Sequence, residues 1–168
     1  MSVTGTEITI MSLLKKWGLI ESLFGPQVAS GGCWRMYWGV EKGGRSLHAL
    51  RGPQARRQFH ALVARGRIHD LLAFAKWTPV GWACVGPSED FLRLRRVRAL
   101  VRERPQGTWS IVWFSIQMKW RALGVGSRPR EAGRDFAFAQ GANCVEGYLA
   151  SPRQTLPGAS SAPGYLRC

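Results

Sequence analysis

Apolar positions along the chain change period several times, and each change marks an element. Trp17, Ile20 and Phe24 recur at helical spacing until Gly25-Pro26 stops them. Cys33-Trp34-Arg35-Met36-Tyr37-Trp38 is dense in aromatics and reads as a strand, and the glycine-bearing stretch 39–46 reads as a loop. Gly52-Pro53 opens a helix with proline at its first position. Phe59, Leu62 and Val63 share one face of it, and Gly66 stands just past its end. The segments 71–75 and 80–85 read as two strands of a hairpin around Lys76-Trp77-Thr78-Pro79. Gly86-Pro87-Ser88-Glu89-Asp90 then breaks the chain, with Ser88 expected to cap a short helix over 91–94. The run 109–116 is nearly all apolar, β-branched or aromatic, as in a strand buried on both faces. A glycine-bearing turn, a helix over 127–140 and a strand over 143–149 follow. The pattern divides the chain into an extension at 1–16, one domain at 17–150, and a tail at 151–168. That tail is rich in Pro, Gly, Ser and Ala and is expected to be disordered, leaving the 143–149 strand as an exposed edge prone to self-association.

Composition narrows the class. Of 168 residues 45% are hydrophobic and 20% charged, which suits a globular domain and excludes a disordered, collagen-like or coiled-coil chain. The charge changes the picture more. A formal +14, with five lysines among 24 basic residues, makes an arginine-dominated field that attracts nucleic acid, anionic membrane or phosphorylated molecules. No window reaches the 18 apolar residues of a spanning helix. The short apolar run 8–14 is followed, not preceded, by Lys15 and Lys16, unlike a secretory signal, so a cytoplasmic protein is expected. Cys33, Cys84, Cys144 and Cys168 lie far apart. Their spacing supports neither a metal site nor a disulfide framework, and reduced thiols are expected, the first three in the core.

Chemistry gathers around the 109–116 strand, the turn after it and the next helix. Glycines in such a turn let backbone N–H groups approach an anion, and the helix N-terminus favours negative charge. Arg121 and Arg128 add fixed charge. Arg121, Gly124 and Gly126 match Q/R-x-x-G-x-G/A, and this order resembles the GNAT superfamily of N-acetyltransferases. Further stretches are similar to one bacterial branch of it: Leu23-Phe24-Gly25-Pro26, Gly31-Gly32-Cys33-Trp34, Pro79-Val80-Gly81-Trp82, Ser88-Glu89-Asp90-Phe91, and Gly141-Ala142 followed by Val145-Glu146-Gly147-Tyr148.

The resemblance implies an α/β fold with a central mixed sheet flanked by helices, acetyl-CoA as co-substrate, an amine acceptor and no metal. It implies that the pantetheine arm pairs with Phe114, Ser115 and Ile116. The pyrophosphate is then expected on the turn of Arg121, Ala122, Leu123, Gly124, Val125, Gly126 and Ser127. Transfer is by direct attack of a neutral amine on the thioester, with a base or water chain taking the proton. The chain departs from the pattern at Pro129, Arg130 and Gly133, and at Met118-Lys119-Trp120. Only twenty residues follow Tyr148, so a fold lacking its last helix and strands is expected.

Glu146 is the best candidate base and Tyr148 the candidate acid, against the plainer readings of a salt-bridged strand residue and a packed ring. His48, His60 and His69 fall on separate elements and read as surface or core histidines. The arginines of 91–104 read as a solvated basic helix face. Trp34, Tyr37, Trp38, Trp77 and Trp82 read as core or cleft lining. The other function class is a non-catalytic basic protein on a decayed acetyltransferase scaffold, binding polyanions such as nucleic acid. A homo-oligomer is compatible with either.

Overall fold

Ile8 and Ile10 alternate with the more open Thr9 and Met11 along β1 (Ile8–Ser12). This strand lies antiparallel on β2 (Leu71–Ala75), Ile8 opposite Ala75. The sheet thus begins inside the segment expected as an extension, because five alternating residues gain strand identity only from a partner edge. The structure, a computed structural model, describes residues 8–13, 16–25, 32, 34–39, 51–96, 98, 100–117, 120, 128–150 and 163–166. The two-residue turn Lys76-Trp77 joins β2 to β3 (Thr78–Pro87) in the expected hairpin. β4 (Thr108–Ile116), β5 (Cys144–Ala150) and β6 (Pro163–Leu166) complete a sheet ordered β1-β2-β3-β4-β5-β6. Every neighbouring pair is antiparallel except β4 and β5, which are parallel. A parallel pair needs a crossover, and α4 (Arg128–Ala139) lies within it.

The helices take opposite faces. α1 (Trp17–Phe24) buries Ile20 and Phe24, and α2 (Gly52–Ala64) buries Ala55, Phe59 and Val63. With the 3-10 turns Met36–Trp38 and Ser88–Asp90 and the short α3 (Leu92–Arg96), they accompany the first face. Its core unites Phe24, Phe59, Phe91 and Leu94 with Leu72, Phe74, Trp82, Cys84, Val112 and Tyr148 of the sheet. On the second face, Ala137 of α4 packs with Leu71, Ala83, Val85, Trp109, Ile111 and Val145. The approach there is tight. A Cβ on Gly133 would stand 3.0 Å from Ile111 Cδ1, which gives a packing reason for a helical glycine.

Several expectations are corrected. The segment 33–38 holds a 3-10 turn over Met36–Trp38 where a strand is expected. Trp34 and Arg35 have left-handed φ of 44° and 68°, and buried Arg35 is paired with Asp70, so tertiary contacts override the β-propensity of the aromatics. Ser88 makes no cap; its hydroxyl lies 2.6 Å from that of Ser110. Trp77, expected in core or cleft, is 94% exposed, because it stands at the hairpin tip beyond the sheet's last rung. The tail contributes β6, which pairs with Gly147–Ala150 of β5, so the sheet ends on β6 and not on the strand for which self-association was argued. Cys144 is disulfide-bonded, and its partner lies outside the described residues; chain spacing says nothing about which thiols a sheet brings together. Cys84 is a free, buried thiol as expected.

Candidate active site

The parallel ladder between β4 and β5 is short. It runs from Thr108 opposite Cys144 to Ile111 opposite Gly147 and then stops. The next residue, Val112, is an extra one on β4: Cys84 pairs with Trp113 and Val85 with Ile111, leaving Val112 as a bulge. A bulge bends its strand and increases the local twist. From there through Ile116, β4 has only β3 as strand neighbour among the described residues, and Gly147–Ala150 of β5 pair with β6 on the opposite edge. The sheet opens between two adjacent strands. α4 descends from this open end, since its C-terminus leads through Gly141 to Cys144 at the closed end. Its N-terminus, with unpaired N–H groups and the positive end of the dipole, therefore lies on the open side.

Phe114, Ser115 and Ile116 are brought to that open stretch. The turn bearing Arg121, Ala122, Leu123, Gly124, Val125, Gly126 and Ser127 lies outside the described residues, as does His48. His60 is exposed on α2 against Trp17, and His69 rests its ring edge on Trp109. Neither joins the site.

Glu146 and Tyr148 are brought together just below the opening. Glu146 stands opposite Ser110 across the ladder and is 1% exposed. Ser110 Oγ and Tyr148 Oη each donate to Glu146 Oε1 at 2.6 Å, and Arg104 Nε donates to the same oxygen at 2.8 Å. Arg102 pairs with Oε2. Arg104 Nη2 also donates to Tyr148 Oη at 2.6 Å and to the Leu100 carbonyl at 3.0 Å. Burial pushes the Glu146 carboxyl up, but the hydrogen bonds from Ser110, Tyr148, Arg102 and Arg104 outweigh it and hold the group below its ordinary value. Burial and the bond to Glu146 push Tyr148 up to about 12. A carboxylate held this way ties the 100–104 segment to the sheet. Arg102 and Arg104 were expected on a solvated helix face and are turned inward by the charge they neutralise; α3 ends at Arg96. Their spacing of two, which puts both on one side of an extended segment, was the available signal.

A second polar cluster lies nearby. Buried Arg35 donates from Nε to both oxygens of Asp70, at 3.1 and 2.9 Å, and Trp82 Nε1 donates to Asp70 Oδ2 at 3.0 Å. Burial pushes the Asp70 carboxyl up against the pull of Arg35. This pairing fixes the turn that follows. Trp38 of that turn packs on Tyr148 with ring centroids 6.0 Å apart, and Tyr37 lies under Arg93.

Among the described residues no cluster of His, Cys, Asp or Glu is placed to hold a metal, and no helix is long and apolar enough to cross a membrane. No family model matches the sequence, and no curated protein matches it. Solved structures do. A protein described as a GNAT-family acetyltransferase from Desulfovibrio desulfuricans superposes with a TM-score of 0.50 at 13% identity, over 90% of this chain and 79% of that one. The PaiA N-acetyltransferase of Thermoplasma acidophilum, solved in complex with coenzyme A, superposes with a TM-score of 0.52 at 9% identity, over 95% and 96% of the two chains. The mixed sheet and its flanking helices agree with these likenesses: the chain has the fold of the GNAT superfamily of N-acetyltransferases.

Proposed function

We propose that the chain is an acetyltransferase that moves acetyl from acetyl-CoA to an amine. The observation that carries this reading is the opening of the β4–β5 ladder at the bulged Val112, at the same end as the α4 N-terminus. A strand edge without a strand neighbour suits an extended, amide-bearing chain such as a pantetheine arm. Phe114, Ser115 and Ile116 are assigned to it, and the Arg121–Ser127 turn is assigned to the pyrophosphate on residue type alone. The likeness to a fold solved with coenzyme A supports the assignment. Backbone N–H groups of this stretch would orient the thioester and stabilise the oxygen charge as the amine attacks. A C–N bond forms, the C–S bond breaks, and the proton released from nitrogen passes through water while the thiolate leaves. Glu146 and Tyr148 are assigned to holding β5 and the 100–104 segment in place. Their polar atoms are already committed to each other, to Ser110 and to the two arginines.

Thermal unfolding with CoA and acetyl-CoA tests the reading. A ligand at 100 times its dissociation constant stabilises by about 2.7 kcal/mol, a visible rise in melting temperature. Free CoA thiol should then be released when an amine is added to the acetyl-CoA complex. Absence of a shift with either ligand at millimolar concentration would overturn it.

One observation favours a second reading, a polyanion-binding protein. Residues 51–69 contain five arginines and no acid, and Arg57, Arg65, Arg67, Arg95, Arg96 and Arg98 are exposed. Duplex DNA affinity falling steeply with salt, together with no CoA shift, selects it.

A further inference from the structure

Among the described residues three buried donors lack a partner, Trp38 Nε1, Arg93 Nε and Trp120 Nε1, and the first two lie together around Tyr37. Trp38 is 8% exposed, and its Nε1 has no hydrogen-bond partner among the described residues; the same holds for Arg93 Nε, shielded from solvent. Both flank Tyr37. The Trp38 ring meets Tyr37 edge-on at 5.3 Å, and the Arg93 guanidinium lies 3.9 Å over the Tyr37 ring while its Nη2 donates to Tyr37 Oη at 3.0 Å. Buried N–H groups are ordinarily satisfied, so a pair left open beside a binding region points to a ligand group that accepts from them.

The surroundings define that group. Trp38 rests on Tyr148, the first β5 residue beyond the ladder, and Trp113 flanks the opening from β4. The buried acids on this face among the described residues are committed elsewhere: Asp70 to Arg35 and Trp82, Glu146 to Ser110, Tyr148, Arg102 and Arg104. Glu89 and Asp90, one turn before Arg93, are exposed and form no ion pair with it among the described residues. One donor sits on a guanidinium that no carboxylate among the described residues neutralises, so the complementary group is an oxyanion. A net charge of +14 works against a polycationic acceptor in the same place. The geometry is also prepared in advance, since the left-handed Trp34 and Arg35 and the Arg35–Asp70 pair hold the turn.

We propose that the acceptor amine carries an anionic group, a carboxylate or a phosphate, that Trp38 Nε1 and Arg93 Nε bind. This deepens the acetyl-transfer reading and rests on it for the identity of the amine as acceptor. The binding step can be read without acetyl-CoA, from the indole N–H resonance of Trp38 in the 15N-labelled chain. β-Alanine and phosphoethanolamine separate the two sources of oxyanion; β-alaninamide and ethanolamine, monocations at neutral pH, and putrescine, a dication, are the controls without an anionic group. The expected result is a saturable shift of the Trp38 resonance with one or both anionic amines and none with the controls. In turnover, kcat/KM should favour the amine with an anionic group about tenfold or more over its counterpart without one. W38F keeps a ring on Tyr148 without the N–H, and R93Q removes the charge. Both should raise KM for the anionic amine and leave KM for acetyl-CoA unchanged. Equal response to amines with and without an anionic group overturns the inference while leaving acetyl transfer standing. A Trp38 shift with no transfer to any amine keeps the oxyanion site and overturns the acetyltransferase reading instead.

Discussion

A carboxylate with 1% of its surface exposed is ordinarily pushed toward its neutral form, yet Glu146 is held below its ordinary value of 4.5. The folded state therefore binds its proton less readily than the unfolded chain does. The stabilisation is fully present above 4.5 and is lost as pH falls through the folded value. E146Q leaves Arg104, 13% exposed, without its charge partner and should cost about 3 kcal/mol near neutral pH. Urea unfolding at about pH 7 and about pH 3 should show the gap between wild type and E146Q shrinking with acidification. A gap independent of pH would remove Glu146 as the group responsible. Glu146 and Tyr148 were legible in the sequence as chemically capable residues, but their occupation was not. Arg102 and Arg104 lie 44 and 42 residues away along the chain and reach Glu146 only because β4 and β5 are neighbours.

Elements whose identity comes from their own period were legible: α1, α2, the β2–β3 hairpin, β4 and α4 fall close to where apolar spacing and glycine or proline boundaries put them. The 3-10 turn at Met36–Trp38 was not, because its conformation is set by Arg35 pairing with a residue on another element. β6 was not, because four residues become a strand only against β5. The bulge at Val112 was equally hidden, since it is a property of two strands' register. Gly133 was legible as a departure, with its reason supplied by Ile111. In α4, Gly133→Ala gains up to about 1 kcal/mol of helix propensity and loses it to crowding against the Ile111 Cδ1 methyl. Ile111→Val removes that methyl and alone should cost about 1 kcal/mol. The double variant should be more stable than the sum of the two single changes, measured by chemical denaturation in a double-mutant cycle. Strict additivity would mean that helix and strand do not press on each other there.

The whole molecule carries +14, and its exposed arginines have few acids between them. Self-repulsion of this kind destabilises the compact state and is relieved by screening. The melting temperature should therefore rise between about 20 mM and about 300 mM sodium chloride. It should rise further with sulfate at equal ionic strength, since a divalent oxyanion engages guanidinium groups bidentately. A melting temperature that falls with salt would show that specific ion pairs such as Arg104–Glu146 outweigh the net repulsion. The fold class was legible at this scale; the sheet's closing strand was not.

The order of strands in the sheet is also their order along the chain. During synthesis each strand from β2 onward therefore finds its docking edge already made, and no strand has to be inserted between two earlier ones. The β2–β3 hairpin, with a two-residue turn, is the cheapest contact to close and the natural place for the sheet to nucleate. Growth slows at a single point. β5 must run parallel to β4, so it has to wait until α4 has emerged and crossed the second face. Until then the outer edge of β4, the edge assigned to the pantetheine arm, is bare along its whole length. The nascent chain thus passes through a stage in which its future binding groove is the surface most open to pairing with another strand.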